Sequence, residues 1–172
     1  KKCSYAASFG ELTLSKSQEE KCLEYLSEFS YISIREQNKV NEYAKKINKK
    51  LYCHIDPVFL LSKDEWRDMT ILPQIKSDYI LVYYIHKSST LINYAKQLSK
   101  QTGLKVYIIN QNLFKSYPSF KYLRGLGPEK FLGYFYNAKY IVTNSFHGTA
   151  FSIIFNKKFK SELDKDGKTN NR

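Results

Sequence analysis

The run Tyr140-Ile141-Val142-Thr143-Asn144-Ser145-Phe146-His147-Gly148-Thr149-Ala150-Phe151 opens on apolar β-formers and breaks at small polar residues. It then resumes as the apolar stripe of a short helix through Phe155, so it reads as strand, tight turn, helix. Such a turn directs backbone N–H groups and the positive end of a helix dipole at whatever lies above the carboxyl end of the strand. The turn therefore predicts an anion site. His147 stands there beside Ser145, Gly148 and Thr149, and an imidazole is suited by nature to general acid/base work near neutrality. The plainer role for a residue at that point is to cap the helix.

Working outward, the same alternation recurs. Residues 79–85 are the most strand-like of the chain, residues 88–100 carry Leu91, Ile92, Ala95 and Leu98 at helical spacing, Gly103 ends that helix, and residues 104–109 are again a strand. This is a βαβ unit, which calls for a parallel sheet. Residues 110–127 read as loop, and Pro128 fits the first position of a helix bearing Phe131, Leu132 and Phe135. Upstream, residues 3–9 form a strand ending in a Gly10 turn, and Ser17 with Glu20 reads as a capping box opening a helix to about Phe29. A strand at 31–34, a helix at 37–49 and a short strand at 51–55 follow, and residues 62–66 form a capped helical turn. The polar passage at 72–78 predicts a domain boundary, giving domains 1–72 and 73–172, with Trp66 packed between them. Beyond Phe159 the chain turns polar. The fold class is α/β, with doubly wound, Rossmann-like parallel sheets and flanking helices.

Composition narrows the partners. The formal charge is +12, from 28 Lys+Arg against 16 Asp+Glu, which favours anionic ligands in general. The lysines are scattered over helix faces, however, as solvated lysines usually are. The 15 tyrosines and 11 phenylalanines fall mostly at strand or helix-core spacing, without the aromatic-and-glycine signature of an RNA-binding sheet. Cys3, Cys22 and Cys53 give neither a disulfide framework nor a zinc spacing, which fits a reducing, cytosolic setting. No run of eighteen apolar residues and no signal-peptide pattern occurs, and no G-x-x-x-x-G-K-[ST] or strand-linked G-x-G-x-x-G is present.

In sheets of this class ligands bind above the carboxyl ends of strands. The candidates are therefore residues 8–10, Arg35-Glu36, Asp56-Pro57, His86-Lys87 and residues 144–149. Arg35 is the natural bidentate partner for a carboxylate or phosphate, and its plainer reading is a local ion pair with Glu36. Asp56 before Pro57 reads chiefly as a turn former. His54 and His86 flank strands and read as surface or satisfied residues.

The run from Asn137 to Phe155, together with Tyr5-Ala6-Ala7-Ser8-Phe9-Gly10, Ile32-Ser33-Ile34-Arg35-Glu36 and Asp56-Pro57-Val58-Phe59-Leu60-Leu61 with Trp66, resembles the polysaccharide pyruvyl transferase family. The Phe146-His147-Gly148 turn is the most specific part. The resemblance implies a GT-B-like arrangement of two Rossmann domains with the active site in the cleft between them. It makes the chain a piece lacking most of the first domain and the closing helix, inactive when isolated. The implied reaction moves the enolpyruvyl unit of phosphoenolpyruvate onto saccharide hydroxyls in bacterial capsule or exopolysaccharide assembly. His147 would be the general acid/base, and Arg35 would hold the donor's anionic groups. The N–H groups near Gly148 and Thr149 would receive an anionic oxygen, with Ser8, Asn144 and Ser145 as further substrate contacts. The family turn often carries an arginine where this chain has Ser145, and Lys157 would compensate.

No metal or cofactor is implied. The expected partners are phosphoenolpyruvate and a lipid-linked saccharide, with no nucleic acid. The expected location is the cytoplasm, at the inner face of the membrane. Two alternatives stay open from the residues: a glycosyltransferase using a nucleotide-sugar, and a non-catalytic module binding polyanions or polysaccharide.

Overall fold

The computed structural model describes residues 1–10, 14–109 and 117–162. The chain divides into two compact units, Lys1–Leu60 and Leu61–Glu162. The first holds β1 (Lys2–Ala7), α1 (Lys16–Ser27), β2 (Phe29–Ile34), α2 (Gln37–Ile47), β3 (Tyr52–Cys53) and a 3-10 turn at Pro57–Leu60. Its strands are parallel in the order β1-β2-β3. Ile32 and Ile34, two apart on β2, share one face and pack with Val40, Tyr43 and Leu51, the period-2 alternation of a strand with a covered face. The alternate residues build a ring ladder: Tyr31 stacks on Tyr52 at 5.0 Å, and Tyr5 on His54 at 5.2 Å. The capping box of α1 is Ser15 with Gln18, two residues ahead of the expected Ser17–Glu20 pair. Both pairs satisfy the same pattern, and only backbone geometry separates them.

The second unit contains α3 (Lys63–Asp68), β4 (Tyr79–Tyr83), α4 (Ser89–Thr102), β5 (Lys105–Ile109), β6 (Phe120–Leu123), α5 (Pro128–Asn137), β7 (Tyr140–Thr143), α6 (Phe146–Ile154) and β8 (Lys158–Ser161). All five strands are parallel, in the order β6-β5-β4-β7-β8. β4 is central, and Tyr79, Ile80, Leu81 and Val82 are fully buried, as expected of a strand covered on both faces. Ile80 and Val82 face α4, packing with Leu91, Ile92 and Ala95. Tyr83, on the opposite face, meets Phe131 and Phe135 of α5 edge-on at 5.2 and 5.9 Å. The chain leaves β4 in one direction to β5 and β6, then crosses back to lay β7 and β8 on the other side. The topological switch point thus lies between β4 and β7.

The division of the chain precedes the polar passage expected to mark it. α3 and residues 69–72 belong to the second unit because Gly133 lets the Ile71 backbone lie against α5. A Cβ at 133 would fall 2.7 Å from the Ile71 carbonyl carbon, and the Ile71 N–H donates to the Glu129 carbonyl at 3.0 Å. Trp66 accordingly packs inside this unit, edge-on to Phe151 at 5.3 Å.

Candidate functional site

The carboxyl end of β7 is built by Thr143. Its side-chain oxygen accepts the Ser145 N–H at 3.0 Å, which turns the chain out of the strand. Ser145, 4% exposed, is the cap of α6: its Oγ accepts the Gly148 N–H at 3.3 Å, and its carbonyl accepts the Thr149 N–H at 2.9 Å. The N–H groups of Gly148 and Thr149, expected to receive an anionic oxygen, are thus engaged within the turn itself. Ser145 closes the helix end and does not face solvent. Capping falls to Ser145, and His147 is left exposed at the second helical position, its ring 5.3 Å from Phe146 and edge-on to it.

Asn144 is also engaged. Its Oδ1 accepts the Ile85 N–H at 2.9 Å and its Nδ2 donates to the His86 carbonyl at 2.7 Å. The amide therefore ties the loop after β4 to the turn after β7. Thr149 Oγ1 lies 2.9 Å from Ser161 Oγ at the end of β8, and Ser152 Oγ donates to the Gly148 carbonyl at 2.6 Å. Together these bonds make a rigid seat from which His147 projects.

Gly148 is required by close approach. A Cβ there would sit 3.0 Å from Thr143 Cβ and overlap its hydroxyl. Gly148→Ala is expected to cost about 1–3 kcal/mol, as forced overpacking does. Pairing it with Thr143→Ala should recover part of the loss by removing the overlapping hydroxyl and Cγ2. Urea midpoints of the two single variants and the double measure it, and equal midpoints for Gly148→Ala and the parent sink the idea.

In the first unit the strand ends gather Ser8, Arg35, Glu36 and Asp56. Arg35 pairs with Asp56, not with its neighbour Glu36; the side chains are 19% and 5% exposed. The other oxygen of Asp56 accepts the Val58 N–H at 3.1 Å, so the carboxylate both turns the chain and fixes the guanidinium. Glu36, 4% exposed, accepts the Ser8 hydroxyl and, at 3.2 Å, the Phe9 N–H. Ser8 thus anchors the loop after β1 to a buried carboxylate. Both acids stood among the strand-end candidates; what the sequence reading missed is their pairing, Asp56 with Arg35 and Glu36 with Ser8. The available signal was an acid just past β3, one strand over from Arg35 just past β2.

Lys157 is not placed to compensate at the turn. It precedes β8, whose Lys158 is level with Tyr140 at the start of β7, so it stands at the other end of the strand from His147. Its ammonium lies 5.3 Å over the Tyr136 ring. Partial burial, and after it the charge of Lys63, pushes the Lys157 pKa down. A folded-state pKa below the unfolded value means the protonated form is disfavoured in the folded state. Stability should therefore rise with pH as Lys157 loses its proton, between its lowered pKa and the ordinary lysine value. Lys157→Met is expected to raise stability at neutral pH and flatten that rise, read from thermal melts between pH 7 and 10.

Among the described residues no cluster of three His, Cys, Asp or Glu side chains is placed to hold a metal ion. Comparison with curated proteins and with solved structures gave no match. The family model for polysaccharide pyruvyl transferase matches residues 1–159. This match spans Ser8 in the loop after β1, Arg35, Asp56 and the turn carrying His147, and on that evidence the chain belongs to the polysaccharide pyruvyl transferase family.

Proposed function

We propose that the protein transfers the enolpyruvyl unit of phosphoenolpyruvate to a saccharide, forming a pyruvate ketal and releasing inorganic phosphate, in assembly of a capsule or exopolysaccharide. The observation that carries this reading is the family match over residues 1–159, with His147 exposed on its rigid seat at the start of α6. In the reaction one saccharide hydroxyl adds to the enol carbon while a proton is delivered to the methylene carbon. A second hydroxyl then displaces phosphate to close the ketal. His147 supplies and removes these protons, and Arg35 binds the donor's anionic groups. Neither step calls for a metal or a redox cofactor.

The acceptor is proposed to be lipid-linked, with the enzyme working in the cytoplasm at the membrane surface. Among the described residues no helix is long and apolar enough to cross a membrane. The test is phosphate release from phosphoenolpyruvate in the presence of lipid-linked oligosaccharide from capsule-forming cells. Release that depends on the acceptor, with a product heavier by the mass of one pyruvic acid less one water for each ketal, supports the proposal. Turnover of a nucleotide-sugar without use of phosphoenolpyruvate overturns it.

A further inference from the structure

We infer that Lys87 binds the phosphoryl group of the donor from the loop that faces the His147 turn across the switch point. The inference rests on the reading of phosphoenolpyruvate as donor. β4 and β7 are neighbours in register, with Tyr83 level with Thr143, so the chain leaves both strands at one height, about 4.8 Å apart. Asn144 then pins the two exits together through Ile85 and His86. Lys87 follows directly, exposed, on a root held from both sides: the His86 carbonyl is bonded to Asn144, and Ser88 caps α4 by accepting the Leu91 N–H at 3.1 Å.

Two helices, α4 and α6, begin at this pair of exits, and their positive ends favour an anion there. In the turn after β7 the N–H groups of Gly148 and Thr149 are engaged by Ser145, Ser145 carries no charge and His147 is given to proton transfer, so a standing charge for the phosphoryl group falls to the facing loop. Neither loop contains a carboxylate. Glu162, the acid at the end of β8, lies on the other side of β7 from β4. A compact ammonium on a flexible stem is suited to a phosphate, whose charge is spread over several oxygens.

The test is calorimetric titration of the protein with phosphoenolpyruvate, inorganic phosphate and uridine diphosphate, for the parent and for Lys87→Ala, Lys87→Arg and Lys100→Ala. Lys100 is exposed in the last turn of α4 and controls for loss of surface charge. Lys87→Ala should weaken phosphoenolpyruvate by about tenfold to a hundredfold, the range of a charge-assisted contact. Lys87→Arg should restore most of the affinity, Lys100→Ala should leave it unchanged, and phosphate should compete in every protein but Lys87→Ala. Undiminished phosphoenolpyruvate affinity in Lys87→Ala overturns the inference and leaves the proposed reaction intact. Loss of uridine diphosphate binding in Lys87→Ala, from a parent that ignores phosphoenolpyruvate, keeps Lys87 as a phosphoryl ligand and overturns the donor. A parent that binds none of the three overturns both.

Discussion

Replacing His147 by alanine is expected to lower acceptor-dependent phosphate release from phosphoenolpyruvate by about two to four orders of magnitude, the usual worth of a positioned general acid/base. The fold should survive it. His147 is exposed, and the hydrogen bonds that shape its turn run between Thr143, Ser145, Gly148 and Thr149. Truncation of an exposed surface side chain usually changes stability by no more than about 0.5 kcal/mol. The loss should fall on kcat more than on the affinity for phosphoenolpyruvate, because proton delivery to the methylene carbon belongs to the transition state. Steady-state kinetics and a melting curve on the same preparation separate these effects. Full activity in a folded His147→Ala protein removes the imidazole from the reaction.

The alternation of strand and helix was legible because both sheets are parallel, with helices between their strands. β4, covered on both faces, reads as a continuous apolar run, Tyr79-Ile80-Leu81-Val82, β2 as period-2 alternation, and the helices as period-3.6 stripes. The two strands that went unread, β6 (Phe-Lys-Tyr-Leu) and β8 (Lys-Phe-Lys-Ser), are the edges of the five-stranded sheet. Edge strands are short and carry lysine, which protects them from pairing with other chains, and the same property hides them from a hydrophobic pattern. Residues 110–116, within the stretch read as loop, and the polar tail after 162 lie outside the described residues.

In the site, the anion-cradle reading followed from the strand-turn-helix pattern, but which N–H groups remain for a ligand is decided by side chains. Ser145 and Thr143 engage the turn's own donors, and no spacing rule states that. Lys157 misled because it lies near the turn in sequence, whereas a helix and a reversal of direction place it at the far end of β7. Arg35 was legible as a ligand type and Asp56 as a turn former. Their pairing was not, because it joins strand ends 21 residues apart.

That pairing sets the second large effect. Asp56→Ala is expected to destabilise the first unit by about 3–5 kcal/mol, since removing one partner of a buried ion pair leaves the other charge uncompensated. The residual exposure of Arg35, 19%, lets water relieve some of this and favours the lower end. Loss of the acceptor for the Val58 N–H adds to it. The protein's one tryptophan, Trp66, lies in the second unit, so its fluorescence is the wrong probe. Hydrogen exchange at the Arg35 and His54 N–H groups, which bond to the Ala7 and Ile34 carbonyls, reports the first unit directly. Asp56→Asn keeps the Val58 bond and should cost less than Asp56→Ala. The double variant Arg35→Leu with Asp56→Val removes both charges at once, and replacement of a buried pair by apolar residues is often neutral or stabilising. It should therefore protect the amides better than Asp56→Ala does, leaving only the lost Val58 acceptor as its cost, while losing phosphoenolpyruvate turnover. If turnover persists in that stable double variant, the Arg35–Asp56 pair is structural and the donor's anionic groups are held elsewhere.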